Sequence, residues 1–173
     1  MTPDALIETL TQPWAHGAHA SLPGGVFDAP VVLDGLSLRS FDLSGAAFNG
    51  GLSARGARFL GMAWFQGAQI AGPFDLTGAM CHSDLRLDGV SGTDLILNDA
   101  RLDGVLTLDR ACLGTLSARA CLCLANLSLA GTRVTGMTDL TDAQIMGGVW
   151  ADGAALGDLT VHGAEIEGRQ HGL

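Results

Sequence analysis

A chain of 173 residues has the length of one domain with its own core, and an apolar content of 47% excludes a disordered one. Eighteen acidic residues against nine arginines, with no lysine, give a net charge of −9. That balance argues against direct binding to nucleic acid or to an anionic membrane surface. The 25 glycines are about twice the average share, a skew that internal repeats produce.

Residues 2–11, TPDALIETLT, are predicted to form a short helix. Thr2 stands as N-cap, Pro3 at the first helical position and Asp4 at the positive end, and Ala5, Leu6 and Leu10 supply an apolar face. This opening has no basic stretch followed by an apolar one, so no secretory signal is read. No uninterrupted apolar run approaches the length of a membrane span. The expected setting is the cytoplasm, with the four cysteines reduced. The following QPWAHGAHASLPGG is rich in proline and glycine and reads as a connector, so residues 1–30 are assigned to helix and cap. Its two histidines, His16 and His19, lie three apart, but Gly17 and the flanking prolines oppose a chelating helix.

From residue 31 to 168, apolar-x-apolar pairs follow one another at steps of five or six, a rhythm that fits neither an amphipathic helix nor an ordinary strand. They align in four columns. The first runs Leu36/Leu38, Ala57/Phe59, Ala79/Cys81, Ala100/Leu102, Cys121/Cys123, Ala143/Ile145, Ala164/Ile166. The second begins at Phe41/Leu43, the third at Ala46/Phe48 and the fourth at Val31/Leu33. Each column returns after 21 or 22 residues, which describes a solenoid with a square coil: four very short strands per lap, two inward side chains on each, a turn at every corner. Gly56, Gly67, Gly78, Gly89, Gly131, Gly153 and Gly163 recur just before an inward residue, where a corner requires positive φ. Residues 169–173 are left as a tail.

The segments FDLSG (41–45), FDLTG (74–78) and ANLSL (125–129) resemble the pentapeptide-repeat family, whose unit is A-(D/N)-L-x-x. The resemblance implies an all-β fold, a right-handed four-sided parallel β-helix, here with a short N-terminal helix and expanded coils. It also implies a noncatalytic role. Some relatives imitate duplex DNA and occupy the DNA groove of type II topoisomerases.

No nucleophile, base and orienting group converge in the pattern, so no catalytic residue, cofactor or metal site is assigned. A four-cysteine zinc site is disfavoured: Cys81 and Cys123 fall two coils apart, about 9.6 Å, with Leu102 between them. The outward positions carry more information. Trp64 and Trp150 stand between inward residues of the second side, and Leu60, Met80, Leu122, Leu124 and Met146 fall at outward or corner positions near the first. They form a candidate protein-binding wall. Asp88, Asp109 and Asp152 form a candidate acidic row for the mimicry alternative. A homodimer through the C-terminal end is expected, because a final coil exposes strand edges and core.

Overall fold

The computed structural model describes residues 1–173. Every strand pairing is parallel and joins one coil to the next, so that the chain winds through about seven turns. The second side is a ladder of eight strands, from Ala20–Ser21 and Phe41–Asp42 to Val149–Trp150 and Gln170–His171. The first side is a ladder of seven, from Ser37–Leu38 to Glu165–Ile166. The third and fourth sides share one sheet, since in three coils a single bent strand crosses their corner: Gln69–Asp75, Ser91–Ile96 and Cys112–Ser117. Corners of two or three residues account for the step of 21 or 22: Phe41 aligns with Ala63 across a three-residue corner and Leu85 with Leu106 across a shorter lap.

The burial pattern follows the columns. One continuous core of 47 buried residues runs from Leu6 to Leu156, and the residue between each inward pair faces outward, as Thr107 does between Leu106 and Leu108. The seven corner glycines named above all have positive φ. Asp99, Arg110, Ala120 and Asp142 take equivalent corners with φ between 51° and 57°, a conformation that costs an L-residue free energy. Around residues 118–130 the inward pairs are Cys121/Cys123 and Leu127/Leu129, with Leu122 half-buried and Leu124 exposed.

The helix spans Pro3–Leu10, and Thr2 Oγ1 accepts a hydrogen bond from the Ala5 N–H at 3.3 Å. Leu6 and Leu10 are fully buried and close the N-terminal end of the core. Ala5, expected on that face, is exposed, and Ile7 packs there instead because it lies three residues before Leu10 on the same helical face. The coil begins inside the segment read as connector: Ala20–Ser21 pairs with Phe41–Asp42, and Val26–Phe27 with Ala47–Phe48. At the other end Gln170–His171 continues the ladder into the tail.

Polar side chains bind coil to coil in a recurring way. At four positions the outward residue between an inward pair is a Ser or Thr whose hydroxyl donates to an Asp or Asn of the preceding coil, 19 residues back: Ser53 to Asp34, Thr107 to Asp88, Ser117 to Asn98, Ser128 to Asp109, at 2.5 to 2.8 Å. Where that outward residue is Asp, as at Asp42, Asp75 and Asp139, it accepts the N–H two residues on and closes its own turn. Asp139 is buried, and hydrogen bonding from Thr141 holds its carboxyl below the usual range, with Arg119 adding to the effect.

Candidate functional site: one corner of the coil

The corner between the first and second sides carries Leu60, Leu124 and Met146, and the strands that flank it carry the other candidate binding residues. Its backbone repeats at 60–62, 82–84, 103–105, 124–126 and 146–148, because the strands on either side stay in register. Two coils carry the same five-residue pattern there: Leu60-Gly61-Met62-Ala63-Trp64 and Met146-Gly147-Gly148-Val149-Trp150. Both tryptophans occupy one ladder position, reached from Trp64 through Arg86, Thr107 and Ser128 to Trp150. The glycines are explained by contact. A Cβ on Gly61 would lie 2.7 Å from the Ser40 side chain, and one on Gly148 would lie 2.6 Å from the Trp150 ring.

The two corners differ in what covers them. At the first, residues 14–19 fold back over the rod as a strap. Trp14 Nε1 donates to the Ala18 carbonyl at 3.1 Å, and the His19 ring meets the Trp64 ring edge-on with centroids 5.3 Å apart. Ser40 Oγ donates its one proton to the Met62 carbonyl, so the contact between His19 Nδ1 and Ser40 Oγ at 2.9 Å requires that His19 Nδ1 donate. Trp64 Nε1 is buried without a partner. Between strap and corner lies a cavity of about 410 Å³ lined by Trp14, His16, His19, Leu60, Met62 and His82. His82 Nδ1 lies 3.1 Å from an Asp103 carboxylate oxygen. No three metal-ligating side chains converge here or elsewhere.

At the second corner no strap is present. Leu124 is 40% exposed and Met146 42%, on successive coils of the same corner. Trp150 is half-buried, lies against Gly148, and has no aromatic or imidazole ring stacked on it. Leu122 is half-buried on the adjoining side.

The seven candidate residues therefore fall into two groups and one isolated position. Trp64 and Leu60 lie beneath or beside the strap, and Met80 stands alone between Arg58 and Arg101 on the neighbouring coils. Leu122, Leu124, Met146 and Trp150 remain together on an open corner. The sequence pattern does not point to the cavity residues Trp14 and Met62, and it offers His19 only as half of a disfavoured chelating pair, although the recurrence of apolar-Gly-x-apolar-Trp at 60–64 and 146–150 marks the corner in the sequence.

In the acidic row, Asp88 accepts from Thr107 and from Gln66 Nε2, and Asp109 accepts from Ser128 and from the Ala130 N–H. Only Asp152 is exposed, while Arg110, exposed, follows Asp109 in the same column of corners. The cysteines are free, with Cys112 exposed and the other three buried. Burial pushes the Cys81 and Cys121 thiols up to about 12 and raises Cys123 as well. Cys81, Leu102 and Cys123 lie in register on three successive coils.

A family model described as pentapeptide repeats, nine copies, matches residues 43–91, a stretch that holds the strapped corner at 60–64 and ends before the corner at 146–150. Over that stretch the chain matches the pentapeptide-repeat family, and the structure is a parallel β-solenoid of about seven turns. The matched stretch is continuous in register with the remaining coils on both sides, so the repeat architecture extends through the whole rod. No curated protein and no solved structure matches the chain. No helix is long and apolar enough to cross a membrane.

Proposed function

We propose that this pentapeptide-repeat rod is a noncatalytic scaffold that binds another protein through the open corner formed by Leu122, Leu124, Met146 and Trp150. The observation that carries the reading is the side-by-side exposure of Leu124 and Met146 next to a half-buried tryptophan on a rigid ladder. Apolar side chains clustered on a surface that cannot deform gain free energy mainly by being covered. A tightly filled interior with flat outer walls supports binding better than catalysis.

Self-association belongs to the same proposal. In the last coil Leu159 is 38% and Val161 46% exposed, and a cavity of about 290 Å³ opens among Leu159, Val161, Ala164, Ile166 and Leu173. Two rods meeting at that end would cover this apolar surface. Imitation of DNA toward a type II topoisomerase draws less support, since Gln66 and Ala130 interrupt the acidic row and Arg86 and Arg110 lie beside it.

The test is retention of a protein partner on the immobilised chain. Retention should survive high salt and disappear in Met146→Asp, because apolar contact is not screened. Retention that is lost in salt and in the triple Asp88→Asn, Asp109→Asn, Asp152→Asn variant, together with inhibition of gyrase supercoiling by the wild type, would overturn it in favour of the mimic.

A further inference from the structure

The strap shows within this molecule what the repeated corner accepts. It is a short, uncharged segment, Pro13-Trp14-Ala15-His16-Gly17-Ala18-His19, folded on itself by a turn in which the Ala18 N–H donates to the Ala15 carbonyl at 2.8 Å. It turns at Gly17, whose φ is +81°, and sets one imidazole edge-on against the tryptophan that follows the apolar-Gly-x-apolar pattern. Nothing about the backbone of the corner is peculiar to the first of the two sites. The strands flanking 60–62 and 146–148 belong to the same two ladders in the same register, and each places its tryptophan one residue into the second side.

The difference lies in the chain's own course. The strap reaches Trp64 because the chain enters the second-side ladder at Ala20–Ser21, two coils before Ala63–Trp64. The position equivalent to Ala20 beneath Val149 is Leu106, which belongs to an ordinary coil and is preceded by Val105 in the ladder. What lies against this corner is the following coil, with the Arg169 carbonyl over Gly148 and His171 in register beside Trp150, and no segment crosses it as the strap crosses the first. The second copy of the motif is left with Leu124 and Met146 exposed and with a tryptophan that has no ring against it.

Resting on the scaffold reading above, we infer that the Trp150 corner is a docking site for a short, uncharged, turn-containing segment of a partner protein, one that lays a histidine or another aromatic ring edge-on against Trp150 and an apolar side chain over Leu124 and Met146. The strap is the cis counterpart of that segment. Ring-to-ring contact of this geometry adds to the free energy of apolar burial, and a tryptophan held by its neighbours loses little entropy on binding.

The experiment uses the full chain labelled with nitrogen-15 and, as probe, an unlabelled synthetic peptide of residues 11–19. The Trp150 indole signal should shift saturably with peptide, while the Trp64 signal stays in place because its own strap already covers it. Met146→Asp, at an exposed corner, keeps the fold and should weaken the peptide about tenfold or more, equivalent to about 1.4 kcal/mol. A peptide with Trp14, His16 and His19 all replaced by Ala should not bind. Absence of any saturable shift at Trp150, or equal binding of the ring-free peptide, would overturn the inference. If the peptide fails while Met146→Asp still abolishes retention of a protein partner, the scaffold reading stands and this one falls. Failure of both removes both.

Discussion

Trp64 and Trp150 hold the same place on the same ladder and both are half-buried, yet a strap sets an imidazole against one and no strap crosses the other. The two halves of the rod differ in their interiors as well. All six phenylalanines lie between residues 27 and 74, where they form a chain of ring contacts from Phe27–Phe48 at 5.1 Å to Phe65–Phe74 at 5.1 Å. The later coils fill the same volume with leucine, isoleucine, alanine and cysteine. At the ends, Leu6 and Leu10 seal one opening of the core completely, whereas Leu159 and Val161 stand at the other. The coil geometry is constant along the rod, so what separates the two corners is what lies over each repeat.

That comparison breaks most severely at a position shared by every coil. Leu106→Asp would bury an unpaired carboxylate and should unfold the rod, a loss of more than about 4 kcal/mol in chemical denaturation. Thr107→Asp, one residue on and facing outward, should fold. It should still cost about 1 kcal/mol, because it removes the hydrogen bond to Asp88 and sets a second carboxylate against it. Equal loss from the two variants would contradict the inward and outward register.

The ends sharpen the comparison at intermediate size. Leu6→Ala should destabilise the chain by about 3 kcal/mol, as expected for a fully buried leucine. Leu159→Ala, at the open end, should change stability by no more than about 0.5 kcal/mol in the same measurement. A large effect at Leu159 would mean that the end is already covered, and its dependence on protein concentration would then report self-association.

The smallest effect is a gain. Ala120 holds φ +51° at a corner that other coils assign to glycine. Ala120→Gly should raise stability by about 0.5 kcal/mol, the relief of left-handed strain offset in part by a more flexible unfolded chain. A loss in thermal unfolding would show that the corner tolerates a side chain without strain.

The square coil was legible in the sequence because two inward residues per side impose a period that no other element shares. Four columns from residue 31 onward placed nearly every buried side chain. Earlier coils were hidden by their prolines: Ala20 and Leu22 stand 21 residues before Phe41 and Leu43, but in a segment whose composition reads as a connector. Asp88 and Asp109 looked like a charged row because nothing local reveals an acceptor that is filled 19 residues later by Thr107 or Ser128. The covering of Trp64 was illegible for the same reason. His19 meets it across two coils, through a strap with no period, and no pattern in the second side distinguishes a covered tryptophan from an open one.

Exchange of the tryptophan indole N–H with deuterated solvent, read by nitrogen-15 correlation spectra of the full chain, tests that distinction most directly. The Trp64 indole, buried without a partner, should exchange slowly, and the Trp150 indole should be lost first. Trp14, bonded to the Ala18 carbonyl within the strap, should fall between them. Equal protection of Trp64 and Trp150, or slower exchange at Trp150, would contradict the division of the rod into a covered and an open corner.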